Sequence, residues 1–169
     1  VDVVMTAAAQ HFVTATTFQA LSGRAVLTDL WATGADNAMG HIGASRGAAA
    51  IVVAPASADI LAKLAHGHAD DLLSTLCLAR DCPLLVAPAM NVEMWRNPAT
   101  QRNVAQLRAD GVAILGPASG ELACNETGDG LLADVSRPGA DFEQPAPGVF
   151  IGELAPSQPI STNSTVLWL

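Results

Sequence analysis

Basic side chains are scarce in this 169-residue chain: eight Lys and Arg stand against sixteen Asp and Glu, a formal net charge of −8. A surface that tracks nucleic-acid phosphates needs clustered Lys and Arg, so nucleic-acid binding is excluded. No basic run offers a membrane-surface site either. Cysteine is sparse, three residues without framework spacing, which argues for a reducing cytoplasm rather than a disulfide scaffold. The apolar runs are short and broken by Asp, His, Gly or Pro, so no transmembrane span is expected. Residues 1–15 lack a basic n-region and a cleavage site. Val1 already lies inside an apolar run where a natural start carries Met, so a fragment or a processed chain is expected.

What is present is apolar. Half of the residues are hydrophobic and 14% are charged, the balance of a globular chain with room for one core. Apolar runs alternate with amphipathic segments, the pattern of a mainly parallel sheet between helical layers. This predicts a three-layer α/β/α fold of flavodoxin-like or Rossmann-like type. Strands are expected at Val1–Met5, Ala25–Leu27, Ala50–Ala54, Pro83–Ala87 and Val112–Leu115. Helices are expected at Thr6–Phe12, Thr16–Ser22, Met39–Gly47, Ala58–Ala65, Ala69–Ala79 and Thr100–Ala109. In the second half of this series Leu72, Leu73, Leu76 and Leu78 read as one face, and Pro98 can open the last helix. After Gly116 the chain becomes rich in Gly, Pro, Asn and Ser. Residues 1–130 are therefore read as the folded domain and 131–169 as an extended tail.

Four constellations carry chemical possibilities. In Ala54-Pro55-Ala56-Ser57-Ala58-Asp59 a buried strand runs through a small-residue turn into a helix. The helix N-terminus favours an anion and Ser57 adds a hydroxyl, although an ordinary N-cap reads the same way. In Met39-Gly40-His41-Ile42 an imidazole that titrates near neutrality can move a proton, although a lone His is commonly structural. In Pro88-Ala89-Met90-Asn91-Val92-Glu93-Met94-Trp95 a side-chain amide stands at a strand exit, where ligands bind in open α/β sheets. Turn formation by Asn91 and packing by Met94 and Trp95 are the plainer readings. In Leu122-Ala123-Cys124-Asn125-Glu126-Thr127-Gly128-Asp129-Gly130 a thiol sits in a Gly-bearing loop, either an acid carried on a mobile segment or an incidental free Cys. His66 and His68 lack further ligand spacing, so no metal site is expected. Cys77 and Cys82 read as core thiols. Thr6 reads as an N-cap.

These motifs, in this order, resemble the flavin-dependent decarboxylases of cysteine-derived carboxylates, and within them the coenzyme A branch. The resemblance covers residues 1 to about 130. It implies flavin mononucleotide (FMN) as cofactor, contacted by Thr6, Ser57, Ala58, Asp59, Ile60 and Ala89. It implies His41 as the histidine of decarboxylation and Cys124 as the acid of the substrate flap. Asn91 would be the ligand of the substrate carboxylate, supported by Met94. The implied reaction converts 4′-phosphopantothenoylcysteine to 4′-phosphopantetheine. A homotrimer or a dodecamer of trimers is implied, with a ligase domain in a longer parent. The Phe18-Gln19-Ala20-Leu21-Ser22-Gly23 segment and the Cys124 flap favour this branch over decarboxylases of lantibiotic-type peptidyl cysteine. A non-catalytic relative is the reading from another class. Three departures from the family pattern stand out. Asn125 and Leu131-Leu132 replace Gly and Arg-Met in the flap. Residues 46–49 replace Arg-Trp-Ala-Asp. The family's first strand and Gly-rich cofactor loop would precede Val1.

Overall fold

Ile51-Val52-Val53 and Leu84-Leu85-Val86 are short runs of branched apolar residues, suited to strands buried on both faces. A computed structural model of the chain describes residues 1–31, 48–122 and 126–133, and the backbone of 165–167. In it these runs form β1 (Ile51–Ala56) and β2 (Leu84–Pro88). Next comes the two-residue β3 (Ala113–Ile114). Two strands, β4 (Ala118–Glu121) and β5 (Thr127–Leu131), pair as an antiparallel hairpin. A last strand, β6 (Thr165–Leu167), returns to the sheet. The main sheet has the order β3-β2-β1-β6, and every neighbouring pair is parallel.

Strand β1 does not stop at Pro55, as its sequence suggests, but continues to Ala56. Its register with β2 runs Ile51↔Leu84, Val52↔Leu85, Val53↔Val86 and then, after an irregularity, Ala56↔Pro88. The irregularity is what admits Pro55, which has no N–H to give to a ladder.

The helices are α1 (Ala15–Ser22), α2 (Ala58–His66), α3 (Leu72–Ala79), α4 (Val92–Arg96) and α5 (Pro98–Ala109). Side chains alternate across the sheet with period two. Val53, Val86 and Ile114 pack with Ile60 and Leu61 of α2, Leu73 and Leu76 of α3 and Leu107 of α5. On the opposite face Ala54, Ala87 and Leu115 pack with Ala133. The architecture is an α/β fold with a parallel sheet flanked by helices, flavodoxin-like or Rossmann-like, as the alternation predicts.

Local chemistry moves several boundaries. Helix α3 begins at Leu72 rather than Ala69, because Asp71 and Ser74 form a reciprocal capping box there. Leu78 is 56% exposed, so the buried face of α3 is Leu72, Leu73, Leu76 and Cys77. The expected strand at Val1–Met5 is made of isolated bridges rather than a ladder; Val4 bridges Leu27 in parallel, closed by Met5 N–H to Leu27 O and Leu27 N–H to Val3 O, each at 2.9 Å. Thr6–Phe12 yields only a 3₁₀ turn, Ala9–His11. The expected helix over Met39–Gly47 lies outside the described residues.

Candidate active site

The C-terminal ends of β1 and β2 lie side by side, joined by a hydrogen bond from the Ala89 N–H to the Ala56 carbonyl at 3.1 Å. Two turns far apart in sequence, at Ser57 and at Asn91, are thereby presented at one edge of the sheet, the edge at which open α/β folds bind ligands.

The first turn opens α2. Ser57 is extended (φ −73°, ψ 165°), and its hydroxyl accepts from the Ile60 N–H at 3.3 Å. The first intrahelical bond runs from Leu61 N–H to the Ser57 carbonyl at 3.1 Å. Ala58 and Asp59 precede that bond, so their N–H groups have no partner within the helix. Both face the positive end of the dipole. Ile60 differs from its neighbours: its side chain is buried in the core. The Asp59 carboxylate is 79% exposed and lies 3.8 Å from Lys63. Ser57 and Ala58 thus sit at the turn itself, while the side chains of Asp59 and Ile60 point away from it into solvent and core.

The second turn opens α4. The Asn91 side-chain carbonyl accepts from the N–H groups of Glu93 (2.8 Å) and Met94 (3.4 Å), which caps the helix. Its amide nitrogen is left as an outward donor, and it donates to Glu126 Oε2 at 2.8 Å. Met94 is 49% exposed beside it. The next helix, α5, is started in the same way by Asn97, with Pro98 in its first turn.

Above this turn rests the β4–β5 hairpin. The Met90 N–H donates to the Gly130 carbonyl at 3.0 Å, and Leu122 N–H donates to the Glu126 carbonyl at 2.7 Å. A Cβ on Gly128 would fall 2.8 Å from Val92 Cγ2, and one on Gly130 would run into the Met90 carbonyl oxygen. Absent side chains are therefore what allow the hairpin to lie against the Asn91 turn. Sequence reasoning noticed this loop for Cys124 and passed over Glu126. The signal available was the Gly-x-Gly spacing within a strand, which marks close approach of another backbone.

Thr6 caps a separate turn, its hydroxyl accepting from Ala9 N–H at 3.1 Å. His41 and Cys124 lie outside the described residues. Among the described residues no group of three or more His, Cys, Asp or Glu side chains could hold a metal. No described helix is long and apolar enough to cross a membrane.

A charge cluster lies behind the first turn. Lys63 contacts Asp71 at 2.8 Å, Asp70 at 3.1 Å and Asp59 at 3.8 Å. The hydrogen bond to Asp71 holds the Lys63 ammonium above the usual lysine range, against the opposing effect of burial. Burial pushes the Asp71 carboxyl up, but Lys63 and the Ser74 N–H and hydroxyl outweigh it, and the net shift is downward. Burial pushes the Cys77 thiol up to about 12, which keeps it protonated, and raises Cys82 as well. A cavity of about 240 Å³ opens elsewhere, beside Leu84 where β2 begins, between His68, Cys77, Arg80 and Leu107. It is at the opposite end of β2 from Ala89.

The Flavoprotein family model matches residues 1–137. The coenzyme A biosynthesis bifunctional protein CoaBC of Vibrio vulnificus is 47% identical over 150 residues, which cover 87% of this chain and 37% of that protein. The chain therefore spans well under half of the length of this relative. Among solved structures, the FMN-dependent cysteine decarboxylase SpaF is similar with a TM-score of 0.67 and 40% identity, over 79% of this chain and 71% of that one. A mutant PPC decarboxylase complexed with pantothenoylaminoethenethiol is similar with a TM-score of 0.66 and 35% identity, over 78% of this chain and 74% of that one.

Proposed function

The chain belongs to the Flavoprotein family, and on that premise we propose that it is an FMN-dependent carboxy-lyase, a phosphopantothenoylcysteine decarboxylase. It removes the cysteinyl carboxylate of 4′-phosphopantothenoylcysteine and leaves 4′-phosphopantetheine, a step of coenzyme A biosynthesis. The observation that carries the reading is the bond between Ala89 and Ala56, which sets the Ser57 turn and the Asn91 turn at one sheet edge. The names of the relatives, a coenzyme A biosynthesis protein and a PPC decarboxylase, support the same substrate.

The residues present suit FMN. The N–H groups of Ala58 and Asp59 have no partner within α2, and Ser57 adds a hydroxyl, a set that suits a phosphorylated or electron-rich group. Ala58 and Ala89, partly exposed, are small enough for a flat ring to approach the backbone. Asp59 and Ile60 would contribute through the main chain, since their side chains are directed elsewhere. Thr6 is the remaining proposed contact. When bound, the flavin would supply the electron sink that turns the substrate thiol into a C=S group, to which the carboxylate is β.

The protein's own groups do the rest. The Asn91 amide, held by two N–H groups of α4, presents its NH₂ to the substrate carboxylate, and Met94 flanks it. His41 would assist departure of carbon dioxide. Cys124 would supply the proton as the two electrons taken up by the flavin are returned to the enethiolate that remains, which leaves the thiol of 4′-phosphopantetheine.

A second reading, decarboxylation of a peptidyl cysteine, is favoured by the likeness to SpaF, an FMN-dependent cysteine decarboxylase. Direct competition between the two substrates separates them. We further propose a cytoplasmic homotrimer or dodecamer. The exposed Phe12, Leu21 and Trp31 support subunit contacts. That CoaBC is bifunctional, and that the matched stretch is 37% of it, supports a further domain in a longer parent, which we propose is a ligase.

The test is an absorbance spectrum before and after FMN addition and desalting, followed by an assay for carbon dioxide. Retained flavin with turnover of 4′-phosphopantothenoylcysteine is the expected result. A colourless, inactive chain overturns the proposal.

A further inference from the structure

We infer that Glu126 stands in for the substrate carboxylate at Asn91 and so sets how strongly the site prefers a carboxylate-bearing substrate over its decarboxylated product. The inference rests on the proposed role of Asn91 as the carboxylate's ligand.

The hydrogen-bond pattern carries it. Asn91 has one acceptor oxygen and one donor nitrogen in its side chain. The oxygen is committed to the N–H groups of Glu93 and Met94 at 2.8 and 3.4 Å. Those two bonds fix which way the amide faces, so Glu126 is not needed to orient it. The nitrogen, the end that a substrate carboxylate would use, is already satisfied by a carboxylate: Glu126 Oε2 at 2.8 Å. Glu126 offers the same charge and the same pair of oxygens as the group that Asn91 is proposed to receive. Its backbone is anchored by Leu122 N–H at 2.7 Å, which holds the residue within side-chain reach of Asn91. The NH₂ has two N–H donors, but carboxylates on both would lie close enough to repel each other. A substrate carboxylate therefore competes with Glu126 for the amide. Once carbon dioxide has left, the product has no group to hold Asn91, and Glu126 takes the amide back. The device weakens substrate binding slightly and favours release of product.

Glu126→Ala and Glu126→Gln test this in the FMN-loaded chain slowed by His41→Asn, which binds the substrate without consuming it during the titration, with calorimetric Kd values for 4′-phosphopantothenoylcysteine and 4′-phosphopantetheine. The side chain is exposed, so the expected effect is modest. Glu126→Ala should tighten binding of the carboxylate-bearing ligand about threefold, the range of an exposed charged contact, and leave the decarboxylated ligand as it was. Glu126→Gln keeps an acceptor for the amide but loses the charge, and should fall between parent and Glu126→Ala. Weaker substrate binding in Glu126→Ala would make Glu126 a support for Asn91 and overturn the inference. Equal changes for both ligands would overturn it as well. If the parent binds FMN but releases no carbon dioxide, the proposed reaction itself has failed and the inference fails with it. An active parent with an unaltered ratio of Kd values defeats the inference alone.

Discussion

Met90 and Gly130 meet where the hairpin rests on the sheet edge: the Met90 amide donates to the Gly130 carbonyl at 3.0 Å, and any Cβ on Gly130 would enter the space of the Met90 carbonyl oxygen. One residue thus supplies both the hydrogen bond and the clearance. Because Asn91 follows Met90 directly, the same contact sets the hairpin that bears Glu126 against the proposed carboxylate ligand.

Gly130→Ala is accordingly expected to destabilise the chain. The neighbour in the way is backbone, which cannot rotate aside as a side chain would. Overpacking of this kind costs about 1–3 kcal/mol, and the thermal midpoint should fall by several degrees. A melting curve that overlays the parent's would show that the hairpin does not bear on Met90.

Ser57→Ala removes the acceptor that holds the Ile60 N–H. Loss of an N-cap costs about 1 kcal/mol, readable as a lower denaturant midpoint at unchanged slope. If the Ser57 turn also receives the cofactor, the variant should retain less FMN after desalting. Ser57→Thr keeps an acceptor and should restore both. Equal loss of stability in the Ala and Thr variants would contradict the capping role.

The Lys63–Asp71 pair predicts a loss of stability on the acid side and another only above the ordinary lysine range, with none around neutrality. The folded-state pKa of Asp71 is lowered. Its contribution is therefore present above the unfolded carboxylate value, near 4, and is lost as the pH falls through the lower folded value. Lys63 is shifted upward, so its contribution is complete below the unfolded lysine value near 10.4 and contributes no slope around neutrality. Asp71→Asn retains a capping acceptor but cannot titrate. Denaturant unfolding between about pH 5 and 2.5 should show a shallower loss of stability in the variant than in the parent. Parallel curves would remove Asp71 from the account.

His41→Asn separates chemistry from binding. Its motivation is the Met39-Gly40-His41-Ile42 motif and the part proposed for its imidazole in the departure of carbon dioxide. Release of carbon dioxide should drop by about a hundredfold or more, the usual contribution of a proton-transfer group. Flavin absorbance should persist. Full activity in the variant would remove His41 from the mechanism.

The parts of this fold that were legible from sequence are those fixed by local pattern. The Ile51 and Leu84 runs announce buried parallel strands, and Ser57 and Pro98 announce helix starts, because a cap or a φ restriction acts within one turn. What stayed hidden depends on partners distant in sequence. Leu78 has the spacing of a core residue, yet α3 presents only Leu72, Leu73, Leu76 and Cys77 to the sheet. Pro55 looks like a strand end, yet the irregular register with β2 carries β1 past it. The hairpin strands are rich in Gly and short of branched residues, so period-two reasoning finds nothing there, although their close approach to Val92 and Met90 is what the glycines are for. Glu126 could not be singled out until its carboxylate was found on the Asn91 amide.

Strand β6 supplies the last prediction. Prolines and lack of periodicity read residues 131–169 as an extended tail without a share in the core, yet Thr165, Val166 and Leu167 stand in register beside Ile51, Val52 and Val53. This edge of β1 is the one opposite β2, and β6 closes it as the outermost strand of the sheet. Without β6 its N–H and C=O groups would need water or another strand. Those groups cannot be left buried and unpaired without a cost of about 1–3 kcal/mol each. Deleting residues 160–169 should therefore lower the thermal midpoint by several degrees, and, since an open edge recruits partners, raise the apparent mass by size exclusion. A truncated chain that melts and elutes as the parent does would mean that β1 is content without β6, and that the tail has no structural part in the sheet.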